Sequence, residues 1–330
     1  MKVLITGGAG FIGGHLGKRL AEGGHAVHLV DNFARGARDE FLQKLFATGR
    51  VELFECDLTA PDALAPLGDD YTHVYHFAAI LGVQNVLERP FATLSTNIRL
   101  LETAIEFCRR QTKLERLLFA STSEVYAGSL EHFDLPIPTP EDVPLALPGL
   151  EHPRTSYMLS KLYGEAMVQQ SGLPFTIVRP HNIYGPRMGM SHVIPQLLEK
   201  AHRLAPGDRL EVFSVDHRRT FCFIDDAVEM VVRAADAPRG AGLVLNVGNQ
   251  QPEIRMGELA ELILQTVGRT AAVDPKPATP GSPTRRCPDV TRIAELTGYR
   301  GLTSLEQGVT QTYDWYRDSV FDVASREEAG

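Results

Sequence analysis

Short apolar runs recur along this chain, and most are followed by a stretch with the apolar spacing of a helix. Lys2-Val3-Leu4-Ile5 opens the series as a run of buried-strand type. Phe11, Ile12, Leu16 and Leu20 then recur at helical spacing. The same two patterns predict strands over 2–6, 26–30, 51–55, 73–77, 115–120, 174–178 and 243–247. They predict helices over 11–23, 90–110, 155–171, 192–203, 225–236 and 256–267. Alternation of this kind makes an α/β fold, a doubly wound parallel sheet with helices on both faces. The segment 127–153 is rich in Pro and Gly and lacks periodicity. It reads as a long loop covering the substrate side. The regular alternation fails after Arg179. Residues 180–218 with 250–330 are expected to form a smaller mixed α/β domain, and 1–179 with 219–249 the large one.

Composition narrows the class. The chain has 330 residues and a formal charge of −8, which argues against a general nucleic-acid binder. Cys56, Cys108, Cys222 and Cys287 are scattered without a Cys-x-x-Cys pair, as in a reduced, cytoplasmic protein. No apolar run is long enough for a membrane span. The first strand begins at once, so no signal peptide is expected. No His or carboxylate spacing suggests a metal site.

The chemistry begins at Thr6-Gly7-Gly8-Ala9-Gly10-Phe11-Ile12-Gly13, between the first strand and the first helix. That context suits a dinucleotide. Gly7 allows a tight turn, Gly10 lets backbone approach a pyrophosphate, and Gly13 lets helix pack on strand. The helix N-terminus then faces the phosphates. Asp31 ends the second strand, where a carboxylate accepts ribose hydroxyls and repels a 2′-phosphate, so NAD is expected over NADP. Arg35 and Arg38, just beyond, read as solvated loop charges. Asp31, Asp57, Ala79 and Thr122 all fall at carboxyl ends of strands, where ligands of such sheets bind.

A second motif, Tyr157-Met158-Leu159-Ser160-Lys161, puts a phenol and an ammonium on one helical face. A free tyrosine titrates near 10. A nearby ammonium and a positive nicotinamide stabilise the phenolate, making Tyr157 a base. Thr122 stands to orient the hydroxyl on which that base acts, and Glu124, in Thr122-Ser123-Glu124, adds a carboxylate able to move a second proton.

The glycine spacing, followed by Tyr-x-x-x-Lys, resembles the short-chain dehydrogenase/reductase superfamily. At this length the chain is similar to its extended branch of nucleotide-sugar epimerases, dehydratases and decarboxylases, which have a Rossmann-type sheet. Asp57-Leu58, His76-Phe77-Ala78-Ala79, Ser121 to Tyr126 and Arg179 to Arg187 fit that branch in order. The resemblance implies cofactor contacts from Gly7, Gly10, Phe11, Ile12, Gly13, Asp31, Asn32, Asp57, Leu58, Phe77, Ala78, Ala79, Asn97, Tyr157, Lys161 and Pro180. It implies catalysis by Thr122, Ser123, Glu124, Tyr157 and Lys161. It implies substrate contacts from Thr122, Asn182, Arg187, Val212, Phe213, Arg219 and Arg286. Val212 and Phe213 read equally as base-pocket lining or core. His181 reads equally as a carboxylate sensor or proton carrier and as a neutral packing residue.

Every reaction of the branch starts with oxidation at C4 of the sugar. The expected order is 4-epimerisation of a UDP-hexose or UDP-hexuronic acid, then decarboxylation of UDP-glucuronic acid, then 4,6-dehydration. Thr-Ser-Glu matches the decarboxylases, whereas Ala79-Ile80-Leu81-Gly82-Val83 is closer to epimerases. A non-catalytic NAD sensor is the reading from another class, and the intact Thr122, Tyr157 and Lys161 speak against it. Helices 90–110 and 155–171 carry apolar residues on more than one side, including Leu101 and Leu162. In the resembled branch these helices make a homodimer contact.

Overall fold

The computed structural model describes residues 1–278 and 282–323, so the expected 250–330 segment runs beyond it at 279–281 and 324–330. The first half winds as β1 (Lys2–Thr6), α1 (Phe11–Glu22), β2 (Ala26–Asp31), α2 (Glu40–Phe46), β3 (Val51–Glu55) and β4 (His73–His76). It continues through α3 (Val83–Glu88), α4 (Pro90–Arg109), β5 (Arg116–Ala120), α5 (Ala127–His132), α6 (Arg154–Gln169) and β6 (Phe175–Pro180). The second half runs β7 (Ile183–Tyr184), α7 (Val193–Arg203), β8 (Leu210–Phe213), β9 (Arg218–Arg219), β10 (Cys222–Phe223), α8 (Ile224–Asp236) and β11 (Leu243–Val247). It closes with β12 (Ile254–Arg255), α9 (Met256–Val267), β13 (Val273–Lys276), β14 (Arg285–Arg286), α10 (Thr291–Thr297) and α11 (Leu305–Tyr316).

Seven strands form one sheet in the order β11-β6-β5-β4-β1-β2-β3. Every pairing within it is parallel. The Rossmann-type expectation holds. Side chains alternate between two apolar layers, so both faces are buried. Val3 and Ile5 join the layer of α1 and α8, while Leu4 joins that of α4. Leu118 and Leu117 divide the same way on β5. The strand order reverses beside β1, between β2 and β4, which opens a crevice at the carboxyl ends. Beyond β6, the two- and three-stranded pieces β7/β10, β12/β9/β14 and β8/β13 lie outside this sheet.

The segment expected as a loop is partly helical. A one-turn helix, Ser123–Tyr126, runs into α5. Gly128 permits this, because a Cβ there would meet the Ala146 carbonyl oxygen at 2.2 Å. The Ser129 hydroxyl donates to the Pro144 carbonyl and accepts from the Ala146 amide. Farther on, Thr139 is bonded to Cys287 and Asp289. The Glu141 carboxylate accepts from the Asn246 amide. The segment is therefore tied to β11 and to the chain after β14.

Helices α4 and α6 pack on each other through Gly164, where a Cβ would stand 2.6 Å from Phe119 and 3.0 Å from Leu101. Leu101 thus belongs to the core and not to a spare outer face, because this close helix approach seals it. The large hydrophobic residues exposed on these two helices are Phe91 on α4 and Tyr163 on α6. All four cysteines are free thiols. No helix among the described residues is long and apolar enough to cross a membrane.

The helix α6 is fixed to β6 by a buried ion pair. Arg179 donates Nε and Nη2 to the two Glu165 oxygens at 2.9 and 2.7 Å, and both side chains are 4% exposed. Ser121 donates to the same carboxylate at 2.5 Å, and Arg179 also donates to Tyr126 and the Glu141 carbonyl. Removing one partner strands a charge in the core. Glu165→Ala is expected to cost about 3–5 kcal/mol in urea unfolding. A loss under about 1 kcal/mol would contradict the role given to this pair.

Candidate active site

The crevice is floored by the glycine turn. Gly7 has φ +70°, and its amide and that of Gly8 both donate to the Val30 carbonyl. A Cβ on Gly7 would stand 2.8 Å from the Ala78 amide, and one on Gly13 2.2 Å from the Gly7 carbonyl oxygen. Only bare backbone fits at either place. Helix α1 starts at Gly10 with no side-chain cap, so its first N–H groups are left for a ligand. At the end of β2 the Asp31 carboxylate accepts from Ala9 N at 3.0 Å and Phe33 N at 2.8 Å. Its remaining lone pairs suit ribose hydroxyls. Asn32 accepts from the Ala34 amide, and Asp57 accepts from both the amide and hydroxyl of Thr59. Leu58 is buried beneath, while Phe77, Ala78, Ala79 and Pro180 are half-buried around the crevice. An uncapped helix start, a backbone cradle and an acid at the ribose position fit NAD.

The reacting groups stand at the ends of β5 and α6. The Thr122 side chain accepts from the Glu124 amide, which starts the one-turn helix carrying buried Ser123. Tyr157 is half-buried. Burial and the Glu124 charge push its phenol up to about 12, against the opposing pull of a Thr122 hydrogen bond and of Arg35. Lys161 donates to the Ala120 carbonyl at 2.8 Å and lies 6.0 Å from the Tyr157 ring centroid. Burial brings its ammonium down to about 8. Its ammonium turns to a carbonyl, and desolvation dominates at the phenol.

Facing this pair are two arginines in register, Arg219 on β9 and Arg286 on β14. Arg219 donates to the Arg218 and Pro283 carbonyls and to Ser282. Burial, then the neighbouring Arg286 charge, lowers it to about 10. Arg286 donates to Glu124 at 2.8 Å, and its charge holds that carboxyl below the usual range. The Arg286 Nε is buried with no hydrogen-bond partner among the described residues. Two adjacent guanidinium groups with a donor unused suit a diphosphate.

Comparison with known proteins agrees. Residues 3–248 match the model of the NAD dependent epimerase/dehydratase family. The chain belongs to that family. It is 32% identical to the UDP-N-acetyl-alpha-D-glucosaminuronate decarboxylase of Bacillus cytotoxicus, over 96% of this chain and 98% of that one. A crystal structure of UDP-galactose 4-epimerase superposes with a TM-score of 0.79 at 29% identity, covering 97% of this chain and all of the other. The UDP-glucuronic acid 4-epimerase of Bacillus cereus, solved with UDP-glucuronic acid and NAD, gives 0.80 at 26%, covering 96% and 99%. Each of these three relatives is named for a UDP-sugar, and the family is NAD dependent.

Within this family site, several residues named from sequence act indirectly. Asn97 accepts from Ile80 N at 2.7 Å and donates to Ile80 O and Ser160, so it fixes the end of β4 from behind instead of facing the cofactor. Arg187 stands at the glycine loop. It binds Asp39 at 2.6 Å and the Ala9 and Gly10 carbonyls, because φ +66° at this residue turns the chain to the glycine loop. Asn182 donates its amide to Thr220 O. Val212 is core and only 2% exposed, so of that pair only Phe213, at 53%, has a side chain free to line a pocket. His181 is buried, its Nε2 bonded to Asn246, and burial holds its imidazole down to about 3. It is the neutral packing residue of the two alternatives. Arg38 pairs with Glu55 and covers Phe33, as a loop charge does. Arg35 is exposed as well, with Nη1 donated to the Leu81 carbonyl at 3.0 Å.

Two outcomes test this geometry. Tyr157→Phe keeps the ring and is expected to bind NAD normally while losing about two or more orders of magnitude of turnover. More than a tenth of wild-type turnover would refute it as the base. Glu124→Gln removes a negative charge beside the phenol, which lowers its pKa. Single-turnover reduction of bound NAD should then rise at lower pH than in wild type, and an upward move contradicts the electrostatics.

Proposed function

We propose that the protein is an NAD-dependent decarboxylase acting on a UDP-linked uronic acid. The observation that carries this is Glu124, a half-exposed carboxylate kept ionised by Arg286 and electrostatically coupled to Tyr157. The decarboxylase name of the Bacillus cytotoxicus relative supports it. This reverses the order expected from sequence, where epimerisation came first.

Tyr157, steadied by Thr122, takes the proton from O4. NAD, when bound, accepts the C4 hydride and returns it at the end, so the cycle is redox-neutral. The 4-keto uronate is a β-keto acid. Its C5–C6 bond breaks, carbon dioxide leaves, and the electron pair passes into the C4 carbonyl. The developing charge on O4 meets the Tyr157 and Thr122 hydroxyls. C5 then takes a solvent proton relayed by Glu124, which as a carboxylate is a carrier and not a standing acid. Tyr157 returns the O4 proton as C4 is reduced. Arg219 and Arg286 hold the diphosphate throughout. We assign NAD to 1–179 with 219–249, and the sugar nucleotide to 180–218 with the described part of 250–330.

Epimerisation is the second reading, favoured by Ala79 to Val83 and the epimerase neighbours. Incubation with UDP-glucuronate, UDP-N-acetylglucosaminuronate and neutral UDP-hexoses, read by mass spectrometry, separates the two. The expected product is a UDP-pentose lighter than the uronate by one carbon dioxide, without stoichiometric NADH. An isomer of unchanged mass, or loss of one water, contradicts decarboxylation.

We also infer a two-fold dimer through the outer faces of α4 and α6. Phe91 is 83% exposed on α4, and Tyr163 is 53% exposed on α6. Light scattering at micromolar concentration should give a dimeric mass that Phe91→Asp with Tyr163→Asp reduces to the monomer. A monomeric wild type refutes it.

A further inference from the structure

We propose that Asn246 is a positioning residue for Glu124. Its side-chain amide holds, from behind, the two segments that the Glu124–Arg286 ion pair joins in the crevice. The placement of Glu124 does not depend on which sugar is bound. Its use as the proton relay at C5 rests on the uronate reading above.

Asn246 breaks the pattern of its strand. It interrupts the apolar run Leu243-Val244-Leu245-Asn246-Val247 of β11, and it is fully buried. A buried amide is tolerated only when it is hydrogen-bonded. Here all four of its bonds are made. Oδ1 accepts from the Tyr126 hydroxyl at 2.8 Å and from His181 Nε2 at 3.1 Å. Nδ2 donates to the Thr139 carbonyl at 3.1 Å and to the Asp289 carbonyl at 3.0 Å. Those two carbonyls can only accept, which fixes the amide's orientation and makes His181 Nε2 the protonated nitrogen.

The partners matter because of what they carry. Tyr126 ends the one-turn helix Ser123–Tyr126, and Glu124 stands two residues before it. Asp289 lies three residues beyond Arg286, on the chain leaving β14. Thr139 fastens this chain further: its amide donates to the Cys287 carbonyl, and its carbonyl accepts from the Asp289 amide, both at 2.9 Å. The His181 ring packs on Tyr126 with 5.8 Å between centroids. On the crevice side, Arg286 donates to Glu124 at 2.8 Å. One neutral amide in the sheet therefore spans the same two segments as that ion pair. The pair alone is a weak tie, because the Glu124 side chain is 42% exposed and water competes for it. The amide's bonds are sheltered from water and set the separation at which Arg286 meets Glu124.

The test follows the Glu124 carboxyl itself. Glutamate carboxyls labelled with carbon-13 are titrated by nuclear magnetic resonance, the Glu124 signal being identified by its absence in Glu124→Gln. Arg286 holds this carboxyl below the ordinary glutamate range. Asn246→Leu removes all four bonds and is expected to raise the midpoint by about half a pH unit or more. Tyr126→Phe keeps the ring, removes one bond from the Glu124 side and should move it in the same direction. NAD binding within about twofold of wild type shows that a variant is folded. An unchanged midpoint in folded Asn246→Leu overturns the assignment; if that variant does not fold, Tyr126→Phe decides in the same way. With UDP-glucuronate, kcat of Asn246→Leu should fall about tenfold with KM within about twofold, and the fall should vanish in the Glu124→Gln background. An equal fall in both backgrounds marks a general loosening and overturns the route through Glu124. If the midpoint moves but the intact protein leaves UDP-glucuronate unchanged in mass, Glu124 is placed as proposed and only the uronate reading fails.

Discussion

The buried pairing of Arg179 with Glu165 is the constraint on which the site depends. A guanidinium in a sealed interior has to sit where its carboxylate is, so β6 and α6 cannot slide past each other. Glu165 lies one turn beyond Lys161 and two beyond Tyr157 on α6. Ser121, beside Thr122, donates to the same carboxylate. One ion pair therefore indexes all three reacting residues to one another. Tyr126 carries the network to Asn246, and Asn246 carries it to His181 and to the segment at Thr139. The substrate-side chain is thereby referenced to the same point.

The two ends of the crevice use different physics. The dinucleotide end offers backbone: an uncapped helix, a glycine cradle and one acid. The proposed sugar end offers charge: Arg219, Arg286 and Glu124. Between them lies Tyr157, whose phenol is pushed up by burial and by the Glu124 charge. A positive nicotinamide, when bound, would favour the phenolate.

The sheet was legible in the sequence because its strands are continuous apolar runs, as Lys2–Thr6 and Arg116–Ala120 show. Long helices with one apolar stripe were legible for the same reason. The two-residue strands β9 and β14 were not, since a pair of arginines has no periodicity. Helix α5 was hidden by Gly128, a residue that discourages a helix but is required here by the Ala146 carbonyl. Of the site, the glycine turn and the Tyr157–Lys161 pair could be read by spacing, which local backbone fixes. Asn97 and Arg187 could not, because a polar side chain's partner is chosen by tertiary contacts. Arg35 was indistinguishable in sequence from Arg38, although one binds the Leu81 carbonyl and the other pairs with Glu55.

The central claim is that Tyr157 and NAD open and close a cycle at C4 while carbon dioxide is exchanged for a proton at C5. The direct measurement is nuclear magnetic resonance of the product formed from UDP-glucuronate deuterated at C4, and separately from unlabelled substrate in heavy water. The account predicts that the C4 deuterium is retained in the product and that one solvent deuterium appears at C5. Loss of the C4 label to solvent, or a product formed without deuterium at C5, would contradict it.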